Sequence, residues 1–142
     1  MKSVVVVGLN LSHCQKISEF VCCELGFTFK NLSNEIHKVL LNSELMSGNT
    51  KKMESKETAI LKKVAGLQNC VFALELDSFL SNKNYKIFKQ FFVILVEEDE
   101  KDINKLIQKF ARKRTNYSLN YSESKANPNE LKEILKKYKN CE

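Results

Sequence analysis

The chain has 142 residues, 43% of them hydrophobic, and a formal net charge of +6, the size of a single domain with enough apolar material to fill one core. That length argues against two independent domains, so one domain over residues 1–142 is expected. The apolar run at residues 4–7 is too short for a signal-peptide core or a membrane span, so no membrane partner is expected.

The charge is unevenly placed. Residues 1–100 hold twelve Lys/Arg and twelve Asp/Glu, whereas residues 101–142 hold eleven against five. Lys-rich helices with solvated outer faces account for this bias, and nucleic-acid binding lacks both aromatic interleaving and a recognised motif around Arg112, Lys113 and Arg114. Cys14, Cys22, Cys23, Cys70 and Cys141 form no CxxC pair and no zinc-type spacing. They read as reduced residues of a cytoplasmic protein.

In chain order, residues 3–8 form a β-branched run, SVVVVG, followed by Ile17, Phe20, Val21 and Leu25 at helical spacing. Gly26 stops that helix, and residues 27–30 suit a second strand. Ser33 offers an N-cap for a helix through Ile36, Val39 and Leu40; residues 47–52 read as a mobile loop. The next helix places Ile60, Leu61, Val64 and Leu67 on one face. Residues 70–76 and 91–96 are apolar runs of the kind buried on both sides in a parallel sheet, with a weaker helical segment at 77–89 between them.

Residues 99–113 carry the clearest helical pattern, with Ile103, Leu106, Ile107 and Phe110 expected to face inward. Tyr117, Leu119 and Tyr121 alternate as a last strand. Asn127, Pro128 and Glu130 then open a final helix that buries Leu131, Ile134, Leu135 and Tyr138. The alternation predicts a three-layer α/β/α fold around a five-stranded parallel sheet with residues 4–7 in its middle. Ile17, Val21, Val71, Val93, Ile103, Ile107 and Ile134 are the expected core. Ligands of such sheets sit at the carboxyl ends of the strands, here residues 8–15, 75–78 and 97–100.

A phosphate loop, GxxxxGK[ST], wraps phosphates in backbone N–H groups, neutralises them with lysine and binds magnesium through a hydroxyl. Gly8 matches the first glycine. His13 stands at the second glycine, Cys14 at the lysine and Gln15 at the Ser/Thr, so Gly8, Ser12, His13, Cys14 and Gln15 are a remnant that also reads as an ordinary turn capped by Ser12. Lys16 is two residues past the lysine position, rotated by roughly 200°. No base is evident in the sequence to make Cys14 a reactive thiol.

From SVVVVGLNLSHCQKISEFVCCELGFTFKNLSNEI to NPNELKEILKKY, the order of segments resembles the shikimate kinase family of the P-loop kinase fold. The resemblance aligns the family's magnesium-serving D-x-D with Asn31 and Ser33, and its FRxxE with MESKE, putting Glu54 at the substrate arginine and retaining Glu57. Its glycine-rich turn falls on Glu75, Leu76 and Asp77, its lid is missing, and RTNY resembles RPxY. Arg114 is then a substrate-binding remnant, or else a helix C-terminal cation.

Losing lysine, metal ligands and arginine together removes phosphoryl transfer. The expected function is therefore a non-catalytic shikimate-kinase-like protein, a regulator or scaffold for an unidentified protein partner, with no catalytic residue, metal site or cofactor. The alternative is a working or nucleotide-binding small-molecule kinase using ATP and magnesium, and a second alternative is weak nucleic-acid binding through the basic last third.

Overall fold

The computed structural model describes residues 2–41, 50–99, 102–121 and 128–141. The elements run β1 (Val4–Gly8), α1 (Leu11–Leu25), β2 (Thr28–Asn31), α2 (Leu32–Leu41), α3 (Thr50–Ala65), β3 (Cys70–Glu75), α4 (Leu76–Leu80), a 3-10 turn (Asn82–Asn84), α5 (Tyr85–Phe88), β4 (Phe92–Glu97), α6 (Asp102–Arg112), β5 (Tyr117–Asn120) and α7 (Pro128–Asn140). All five strands are parallel, in the order β2-β3-β1-β4-β5. This is the three-layer α/β architecture that the sequence predicts, with β1 in the middle. No helix among the described residues is long and apolar enough to cross a membrane.

Two cores flank the sheet. Val5 and Val7 pack with Leu32, Leu61, Phe72 and Phe79 on one side, while Val4 and Val6 pack with Ile17, Val21, Ile134 and Tyr138 on the other. Parallel pairing forces the crossovers, and the crossovers bring the helices that cover both faces. Gly26 ends α1 in the left-handed region, φ 69°, where its N–H donates to Cys22 O at 2.8 Å.

Five expectations need correction. The helical segment at 77–89 is broken into α4, a 3-10 turn and α5, held by buried Asn84, which donates to Glu57 Oε1 at 2.9 Å and accepts from Thr58 Oγ1 at 2.8 Å. Asn31, not Ser33, caps α2, because its Oδ1 accepts the Asn34 N–H at 3.1 Å. Tyr121 lies beyond β5 and is buried. Of the expected loop at 47–52, residues 50–52 belong to α3 and the rest lie outside the described residues, as does Asn127.

The fifth correction concerns α6. Ile17, Val21, Val71, Val93 and Ile134 are buried as expected, but Ile103 and Leu106 are each 68% exposed and Phe110 is 50% exposed. Only Ile107 of that stripe packs on the core. What faces the sheet instead is Gln108 with Ala111, roughly a third of a turn round the helix from the stripe. Gln108 fixes that rotation: the Glu98 N–H donates to its Oε1 at 2.6 Å, and its Nε2 donates to Glu98 O at 3.1 Å. A buried amide satisfying two strand-end backbone groups outweighs the placement that apolar periodicity alone favours.

Replacing Gln108→Ala leaves both Glu98 backbone groups without their partner and is expected to lower stability by about 1–3 kcal/mol. Leu106→Lys is expected to change it by less than about 0.5 kcal/mol. Urea denaturation midpoints measure both, and the reverse ranking would show that the apolar stripe is the packed face.

Candidate functional site

Only Leu9 and Asn10 separate β1 from α1. A phosphate loop keeps the residues after its first glycine out of the helix so that their amides can converge on an anion. Here Leu11 and Ser12 are already helical. Asn10, extended at φ −108° and ψ 106°, is the N-cap, and its side chain accepts the His13 N–H at 3.3 Å. Its carbonyl accepts the Cys14 N–H at 3.2 Å. The capping residue is thus Asn10 and not Ser12, which is exposed. Asn10 immediately precedes the apolar-periodic run and was readable as a cap by that position.

Gly8 is required by packing. A Cβ there would lie 2.9 Å from Cys14 Sγ and 2.9 Å from Val96 O. Cys14, at the position of the phosphate-loop lysine, is fully buried and turned into the core beside Val4, Val6 and Ile17. Burial first, and the Glu98 charge second, push its thiol up to about 12. Such a sulfur is protonated and inert at neutral pH.

Glu98 occupies the mouth of this turn from the end of β4. His13 Nδ1–H donates to Glu98 Oε1 at 2.6 Å, and the imidazole stacks on Tyr121 with ring centroids 3.8 Å apart and planes 8° from parallel. The Glu98 side chain is only 12% exposed, and its backbone is held by Gln108. A carboxylate held beside the first turn of α1 suits the helix dipole, as an external anion would. It also opposes one: two like charges about 4 Å apart repel by about 4 kcal/mol at an effective dielectric of about 20. Neither Glu98 nor Tyr121 could be assigned to this turn from sequence, since each lies more than 80 residues from His13 along the chain.

The remaining candidate positions are engaged structurally. Asn31 caps α2, and the Ser33 hydroxyl, buried, accepts the Glu75 N–H at 3.0 Å. Glu57 holds Asn84. The Glu54 side chain lies outside the described residues. At the expected glycine turn β3 passes straight into α4, with Leu76 buried in the core, while Glu75 Oε1 lies 3.7 Å from His37 Nε2. Gln15 is half-buried. Arg114 is not brought to this end at all: it precedes β5 and shares a cavity with Lys2, Val93 and Asn116 at the amino end of the strands. No group of three His, Cys, Asp or Glu among the described residues could hold a metal ion.

No protein-family model and no curated protein matches the sequence. Solved structures do match. Shikimate kinase from Aquifex aeolicus superposes with a TM-score of 0.71 at 13% identity, covering 97% of this chain and 96% of that one. The fold is that of shikimate kinase. The enzyme from Bacteroides thetaiotaomicron gives a TM-score of 0.67 at 10% identity over 99% and 97% of the two chains. That from Acinetobacter baumannii, solved with shikimate, gives 0.63 at 14% over 84% and 83%. The shikimate kinase fold is therefore retained nearly end to end, while the turn after its first strand holds a buried thiol and a carboxylate.

Two outcomes follow from this turn. Iodoacetamide at pH 8 is expected to alkylate exposed Cys23 and Cys141 in the folded protein and Cys14 only after unfolding, as read by peptide mass spectrometry. Because the folded state holds the Cys14 proton up to about 12 while the unfolded thiol releases it near 9, this group's contribution falls as pH rises above about 9, by up to about 1.4 kcal/mol per pH unit. The loss is expected to be smaller in Cys14→Ala. Cys14→Lys, which restores the motif residue, is expected to destabilise by on the order of 3 kcal/mol because its ammonium is buried.

Proposed function

We propose that this chain is a shikimate-kinase-like protein that has given up phosphoryl transfer and acts as a regulator or scaffold through its surface. The observation that carries the reading is Glu98 seated on His13 at the mouth of the β1–α1 turn. Phosphoryl transfer depends on positioned cations and a metal that neutralise charge on the moving group. In this turn the lysine position is a buried thiol, one amide is taken by Asn10, and the mouth holds Glu98 on His13.

An ATP–magnesium pair does not fit these residues. Asn31 and Ser33, at the positions where the fold's enzymes carry carboxylates, spend their side chains on a helix cap and on the Glu75 amide. A fold freed from catalysis still presents helices and loops on which a protein partner can act.

Calorimetric titration with ATP and magnesium is expected to give no saturable heat, and a coupled assay with shikimate no turnover. Saturable turnover would overturn the reading and establish an active kinase. Tight nucleotide binding without turnover would overturn only the exclusion of nucleotide.

A further inference from the structure

At the amino end of the sheet, away from the β1–α1 turn, lies an open cavity of about 230 Å³ lined, among the described residues, by Lys2, Lys89, Lys113 and Arg114 and by no carboxylate. That is the room of roughly eight waters at about 30 Å³ each. Phe79, Phe88, Phe91 and Val93 supply its apolar wall, and Tyr85, Thr115 and Asn116 its neutral polar groups. A five-residue strand, roughly 16 Å long, separates this end from Gly8.

Arg114 is held between two aromatic rings, its guanidinium carbon 4.5 Å from the Tyr85 centroid and 4.7 Å from that of Phe110. Lys89 Nζ lies 4.9 Å from the same Tyr85 ring. These contacts hold the guanidinium in place but accept none of its in-plane hydrogen bonds. Its Nη1 is closed off from solvent and meets no hydrogen-bond partner among the described residues. Two residues earlier, Arg112 shows the ordinary outcome, pairing with Glu97 through both Nε and Nη2. An unsatisfied buried donor on a charged group costs more than the about 1–3 kcal/mol of a neutral one, and native proteins rarely leave one without a partner.

We propose that this cavity is a binding site for a small organic anion, a phosphate or carboxylate carried on an apolar body, with Arg114 as its anchor. Arg114 lines the cavity with an unpartnered Nη1 among its donors, and its planar fork matches the oxygens of either group. Lys2, Lys89 and Lys113 add positive charge around it, and the phenylalanine wall takes the apolar body. The site owes nothing to the β1–α1 turn, so it holds whichever way the nucleotide experiment falls.

Phenyl phosphate, benzoate and inorganic phosphate, titrated into the full chain by calorimetry and thermal shift, test it. Saturable binding of phenyl phosphate or benzoate, tighter than that of inorganic phosphate and weakening as salt rises, is expected. The better of the two organic probes identifies the anionic group. Arg114→Lys, which keeps the charge and loses the fork, is expected to weaken binding at least about tenfold. Lys89→Gln, a change at an exposed position, is expected to weaken it less, and Glu98→Gln at the opposite end not at all. Absence of saturable binding by all three probes overturns the proposal. So does equal affinity in Arg114→Lys and Lys89→Gln, provided that both keep the parental denaturation midpoint. Binding that responds to Glu98→Gln but not to Arg114→Lys overturns it too, by placing the anion at the β1–α1 turn.

Discussion

Val4 to Val7 send alternate side chains into two separate cores, and every one of them is buried. A strand in that position needs hydrogen-bonded neighbours on both edges and helices over both faces, and β3, β4 and their crossovers supply them. The same demand reaches to the end of the strand. Gly8 lies level with Glu75 and Val96 in the register, so close to Val96 O and Cys14 Sγ that no side chain fits. Packing at the centre of the sheet thereby sets where α1 begins, and the start of α1 decides what the turn can bind.

The parts of this fold legible in the sequence are those whose signal is local. Strands buried on both faces appear as β-branched runs, and Gly26 and Pro128 mark a helix end and a helix start by backbone chemistry alone. Apolar periodicity placed Ile17, Val21 and Ile134 correctly because α1 and α7 lie flat on the sheet. It misplaced Ile103, Leu106 and Phe110 because α6 is oriented by a polar anchor, and a periodic stripe says that a helix has an apolar face without saying what covers it. At the turn, the missing lysine and hydroxyl were plain. The Glu98–His13–Tyr121 arrangement was not, since it joins three elements remote in sequence and follows from no spacing rule.

Carboxylates at one end of the sheet are partly offset by Arg112 on Glu97 and Lys105 near Asp99, whereas the charged groups lining the cavity at the other end are cations. Glu75, Asp77, Glu97, Glu98 and Asp99 gather where the strands finish, and Lys2, Lys89, Lys113 and Arg114 where they start. In a parallel α/β fold the crossover helices begin at the carboxyl end and finish at the amino end, so Glu98 beside the start of α1 and Lys62 and Lys63 in the last turn of α3 lie where a helix macrodipole favours their charge. A phosphate-handling enzyme needs the reverse at the carboxyl end: helix starts left open and cations around them, at a cost in stability that function justifies. Under the function proposed above, this chain keeps the arrangement that favours stability.

The sulfur of Cys14 beside Gly8 makes that arrangement hard to undo. Exposing a ring of amides in this turn means unwinding the first turn of α1, drawing a fully buried side chain out of the core and leaving a void against Val96. No single substitution does all three, and each intermediate step loses packing before it gains a ligand. The contact acts as a ratchet: sharing the fold provides no short route to a phosphate-binding turn here, and new activity is easier to build on surfaces that the core does not hold in place.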